Sequence, residues 1–155
     1  MRGRSSQSEG FESRFESAFA RLQVAVLDAC SRERHWPAQV GAGVHAALGF
    51  AAAEPAAART LTIEAKLHRD TRGRRYLRLL DYFAELLRAD APGDSRRPPL
   101  TELALVGSLA TMVAERFLCK RPRGMVAMAP DLVEFILLPY LGAEEAKAQA
   151  VRYRR

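Results

Sequence analysis

At 155 residues, 48% hydrophobic and 27% charged, the chain has the size and balance of one folded domain, which excludes a disordered or fibrous class. Its 24 Lys and Arg against 18 Asp and Glu leave a formal charge of +6, a weak bias towards acidic partners and too little for a dedicated nucleic-acid binder. Two cysteines, Cys30 and Cys119, stand far apart in neither CxxC nor CxxxH settings, so no disulfide framework or zinc motif is signalled and a reducing cytoplasm fits.

The opening "MRGRSSQSEG" is basic and serine-rich with no apolar stretch behind it, so it reads as a disordered tail over 1–10 and not as a signal peptide. From Phe11 to Cys30 the residues Phe11, Phe15, Phe19, Leu22, Val26 and Cys30 recur at helical spacing. Pro37 and Pro55 each suit the first turn of a helix, where a missing N–H costs nothing, and predict helices over 37–53 and 55–68. The first of these carries the stripe Val40, Val44, Ala47, Leu48 and Ala51, with Gly41, Ala42, Gly43 and Ala46 small enough to let a neighbour approach closely.

After the corner "RDTRG", the residues Tyr76, Leu77, Leu80, Phe83, Ala84 and Leu87 set a helix to about Asp90, and the proline-rich "APGDSRRPP" ends it in a loop. Leu103, Val106, Ala110, Val113 and Phe117 mark a fifth helix with Thr101 as its expected N-cap. A short turn at 125–128 leads to a sixth helix from Pro130 to Leu141, apolar almost all round, with Pro139 expected to loosen its last turn. "AEEAKAQAVRYRR" is expected to form a seventh helix, frayed at its basic end. No segment alternates apolar and polar residues as a strand does, so the fold class is all-α, a bundle of about seven helices in a single domain over 11–155. The longest apolar run is about half of the ~20 residues needed to cross a bilayer, so no membrane partner is expected.

Chemistry is sparse. His35, His45 and His68 fall on different elements with no ligand spacing around them, no glycine-rich phosphate loop follows a strand, and no nucleophile–base pair can be drawn. The expectation is no catalytic residue, no metal and no cofactor. The run "KLHRDTRGRRYLR", residues 66–78, holds six Lys or Arg against one Asp. It reads as a solvated corner whose Arg stems cover apolar surface, with salt-sensitive nucleic-acid binding as the rival.

Taken in order, "FESRFESAFARLQVAVLDA", "WPAQVGAGVHAALGFAAAEPAAARTLTIEA", "PPLTELALVGSLATMV" and "PDLVEFILLPYLGAEEA" resemble the C-terminal regulatory half of TetR-family transcriptional repressors, over about residues 11–146. The resemblance implies an all-α domain that binds a small apolar effector between its helices and forms a homodimer through the helices over 103–118 and 130–141. It also implies a DNA-reading three-helix module ahead of such a domain. Only ten residues precede Phe11, so this chain alone is expected to bind no operator specifically.

Residues expected inside the effector site, by inward position and by size or polarity beyond packing need, are Phe19, Gln23, Cys30, His45, Tyr76, Phe83, Met112 and Arg116. Those expected at the dimer interface are Leu103, Val106, Gly107, Ala110 and Val113 on the fifth helix, with Leu132, Phe135, Ile136, Leu137 and Tyr140 on the sixth. The functional expectation is a ligand-responsive regulatory domain. Its alternative is an effector-free dimerising module that pairs with itself or with a full-length relative.

Overall fold

The computed structural model describes residues 2–67, 71–93, 97–121 and 123–154, with side chains except at 2–5, 8, 71 and 72. Seven α-helices in chain order make up the fold, and no strand occurs among the described residues. His68 and part of the corner after it lie outside them.

Helix α1 runs from Arg2 to Ser31, nine residues earlier than the apolar stripe suggested. The expected tail over 1–10 contains no proline, and its glycines lower helix propensity by ~1 kcal/mol each without forbidding the conformation. Phe11, Phe15, Phe19 and Val26 are buried, as the spacing requires. Helix α2, Trp36–Ala53, lies along α1, with Pro37 in its first turn. Its glycines are close-approach points: a Cβ on Gly43 would stand 3.1 Å from the Cys30 Sγ, and one on Gly41 would stand 2.6 Å from the Tyr153 ring.

Helix α3 begins at Pro55 and keeps α-geometry only to Arg59, after which Thr60–Glu64 are wound as a π-turn. The cause is visible in the side chains. The Thr60 and Thr62 hydroxyls donate to the Ala56 and Ala58 carbonyls, at 3.1 and 2.8 Å, and the Ala65 N–H reaches back five residues to the Thr60 carbonyl.

Helix α4, Thr71–Ala89, meets α1 in parallel, since Arg75 pairs with Glu12, Arg78 with Glu16, and Tyr82 packs edge-on against Phe19. Three cations of the basic run have partners within the chain: Arg75 and Arg78 pair with α1, and the Lys66 ammonium lies over the Tyr76 ring, while Lys66, Arg74 and Arg78 remain exposed. Leu77, expected in the buried stripe, is 54% exposed, and Leu79 takes the inward place.

Helix α5 spans Thr101–Leu118 and buries Leu105, Ala110, Val113, Ala114 and Phe117. Thr101 does not cap it; its hydroxyl donates instead to the Pro98 carbonyl at 2.8 Å, and Leu100 occupies the capping position. A short 3-10 turn, Val126–Met128, precedes α6, Ala129–Leu141, which continues through Pro139. Gly142 closes it with φ +79 and ψ 171, a conformation open to glycine and strained for other residues.

Helix α7, Ala143–Ala150, packs on α6, and the following turn does not fray. Arg152 makes a two-pronged pair with Glu33 at 2.8 and 3.3 Å, and Tyr153 fills the gap above Gly41.

Two apolar clusters result. One gathers α2, α5, α6 and α7 around Leu48, Val133 and Leu137; the other gathers α1 and α4 around Phe11, Phe15, Phe19 and Leu80. Val106 touches both.

Candidate functional site

The two clusters do not close on each other. Between them lies a cavity of about 380 Å³, within the range of small-molecule sites. One cluster gives it Val44, Leu87, Val113 and Ile136, the other Phe50, Leu61, Leu79 and Ala110. The cause of the gap is residue size, because Gly43, Ala47, Ala51, Ala58 and Ala110 line it where larger side chains would fill it. Exposed Leu27 and Ser31 on α1 and Asp90 just after α4 mark its mouth. A dry void of this size would cost up to ~9 kcal/mol at ~24 cal/mol per Å³, comparable to the stability of a whole domain.

Most polar groups in the wall are already engaged within the protein. Trp36 Nε1–H donates to the Leu87 carbonyl at 3.2 Å, Thr62 to the Ala58 carbonyl, the Cys30 thiol to the Gln39 carbonyl at 3.3 Å, and the Gln39 amide to the Glu33 carbonyl at 3.1 Å. Burial pushes the Cys30 thiol above its ordinary range, so it stays protonated at neutral pH. What the interior offers a guest is therefore apolar surface. The Asp90 carboxylate stands at the rim.

Behind Trp36 a polar wall stiffens one side. Its ring packs edge-on against Tyr140 at 4.8 Å, the Tyr140 hydroxyl donates to Glu102 at 2.9 Å, and the Arg97 guanidinium lies 4.2 Å over the Tyr140 ring. Glu102 is only 4% exposed. Burial works against its ionisation, but its own backbone N–H, the Tyr140 hydroxyl and Arg88 outweigh it and hold the carboxyl below the usual range. Burial, then the bond to Glu102, pushes the Tyr140 phenol well above its ordinary value.

No family model, curated protein or solved structure matches this chain.

Of the eight residues expected in the effector site, Cys30 and Phe83 line the cavity. The others are placed elsewhere. Phe19 and Tyr76 are buried in the α1–α4 cluster, and Gln23 is half-buried away from the lining. His45 is exposed with its ring against Tyr153, Met112 is 48% exposed, and Arg116 Nε reaches the Met128 Sδ. The expectation followed size and polarity, whereas the cavity exists where residues are small. Gly43, Ala47 and Ala51, four apart on α2, were the signal that marks it.

Most of the expected interface is likewise occupied within the chain. Ala110, Val113, Leu132, Ile136 and Leu137 are buried in the chain's own core, Leu137 completely. Leu103 and Val106 pack against the clusters, and Tyr140 is tied to Glu102. Gly107 is half-buried, and Phe135 faces outward at 44% exposure beside Leu138 at 44%. Among the described residues no group of three His, Cys, Asp or Glu is placed to hold a metal ion, and no helix is long and apolar enough to cross a membrane.

Proposed function

We propose that the chain is a small-molecule-responsive regulatory domain that takes an apolar effector into the cavity between α1, α2, α4 and α5. The resemblance to the regulatory half of TetR-like repressors agrees with this reading. The observation that carries it is the cavity's inner wall, whose polar groups are turned to the protein and whose small residues hold open a space that ordinary side chains would fill. A guest with an apolar body would gain ~25 cal/mol for each Å² it removes from water there.

The chain's only tryptophan, Trp36, lines that space and reports on it. Titration with N-phenyl-1-naphthylamine is expected to quench Trp36 emission saturably at micromolar concentration. Ala47→Phe, which fills the cavity from α2, is expected to abolish the quenching while the circular dichroism is unchanged. Non-saturable quenching, or full binding by Ala47→Phe, would defeat the proposal.

The second element of the reading is a homodimer, supported by outward-facing Phe135 and Leu138 on α6. Two side chains fall short of the ~800 Å² per partner of a stable interface, so neighbouring surface must contribute. A monomer in light scattering at micromolar concentration would leave the alternative of a module that pairs only with a different chain.

A further inference from the structure

The described cations differ in how their charge is met. Arg14, Arg21, Arg75 and Arg78 have their charge met by Glu64, Glu54, Glu12 and Glu16. Arg59, Lys120 and Arg123 have no acidic partner among the described residues, and all three line one cleft of about 810 Å³ between the start of α3 and the turn that joins α5 to α6. The rest of that cleft is apolar, including Pro55, Phe117, Met125 and Val126. Among the described residues none that lines it carries a carboxylate.

The cations are positioned rather than merely close in sequence. The Arg59 guanidinium rests 5.9 Å from the centre of the Phe117 ring, so its charge is held at the cleft wall. Lys120 adopts φ +52 and Gly124 φ +88, and these two left-handed residues turn the chain so that Lys120 and Arg123 reach the space that Arg59 enters from α3. The turn is fastened by the Arg121 N–H to the Arg116 carbonyl at 2.9 Å. Three cations converging with no counter-charge repel one another, and a bound anion would remove that repulsion while gaining charge-assisted hydrogen bonds.

We propose that this cleft binds a small soluble polyanion of the phosphate class. The footprint argues for a small molecule: the three cations border one open cleft, whereas a bilayer or a duplex would meet cations spread over a wider surface. Arg presents a planar fork suited to a phosphate, and Lys adds a point charge. The site is distinct from the apolar cavity but backs onto it, with Ala58 facing the cavity and the next residue, Arg59, facing the cleft.

The test is calorimetric titration of the full chain with inorganic tripolyphosphate at low salt. Saturable one-to-one binding is expected, weakened about tenfold or more in Arg59→Gln/Arg123→Gln, and unchanged in Arg74→Gln/Lys147→Gln, which removes the same charge elsewhere. Melting curves of both variants are expected to match the parent. Should the first variant melt lower, Arg123→Gln alone supplies the readout, with a smaller loss of binding. Absence of binding by the parent, or equal weakening by both double variants, overturns the proposal. So does Arg59- and Arg123-dependent binding to phosphatidylglycerol vesicles or duplex DNA that tripolyphosphate does not displace.

Discussion

Tyr140, near the end of α6, donates its hydroxyl to the carboxylate of Glu102, in the first turn of α5, across 2.9 Å. This is a neutral donor meeting a buried charge, and the same phenol ring backs Trp36 on the cavity wall. Tyr140→Phe removes the donor and leaves the charge, so it is expected to destabilise the fold by about 1–2 kcal/mol. Denaturant melts followed through Trp36 emission measure it, and an unchanged midpoint would show that Arg88 and Arg97 suffice alone.

The same pair fixes an acid limit. Glu102 is held below the usual carboxyl range, so it binds a proton less readily folded than unfolded. Its contribution is thus fully present above the ordinary glutamate value of about 4.3 and is lost as pH falls through the lower folded value. Glu102→Gln is expected to flatten the decline in melting temperature below about pH 4.3. It should lower the melting temperature at pH 7.

Leu137 and Phe135 separate folding from association. Leu137 is 0% exposed, so Leu137→Glu buries an unpaired carboxylate and is expected to cost several kcal/mol, enough to unfold a marginal domain. Phe135 is 44% exposed, so Phe135→Glu is expected to change the melting temperature of the folded chain little. If the homodimer forms through the outward face of α6, light scattering of Phe135→Glu will give half the parent mass.

Gly41 controls the C-terminal turn. A Cβ there would meet the Tyr153 ring at 2.6 Å, and since a side chain can swing aside, Gly41→Ala is expected to release the turn without unfolding the bundle. Trypsin should then cut after Arg152 faster than in the parent. Gly41→Ala/Tyr153→Ala should restore the parent's melting temperature more nearly than it restores its protection.

The helices were legible because spacing and punctuation agreed: Phe11, Phe15 and Phe19 on one face of α1, and prolines opening α2, α3 and α6. The extension of α1 to Arg2 was not, since a polar stretch without proline gives no sign of where a helix starts. The pinned end after α7 was missed for another reason: Arg152 and Glu33 lie 119 residues apart, and the fit of Tyr153 to Gly41 is equally non-local. Of the residues expected at the candidate site, Cys30 and Phe83, both on apolar stripes, line the cavity. The other six stand elsewhere because a cavity is defined by missing volume, and Gly43, Ala47 and Ala58 carry that information by being small.

Helices α1 and α4 run side by side, and their two halves are fastened differently. Along the middle of α1 Glu12 and Glu16 grip Arg75 and Arg78 of α4, and Phe19 meets Tyr82, whereas further along Leu27, Ser31 and Asp90 frame the mouth. Toward that mouth each helix is held by other partners, α1 through the Cys30 thiol to the Gln39 carbonyl and α4 through the Leu87 carbonyl to Trp36 and through Arg88 to Glu102. Since the ion pairs between α1 and α4 are partly exposed, added salt is expected to weaken that contact before it affects either apolar cluster.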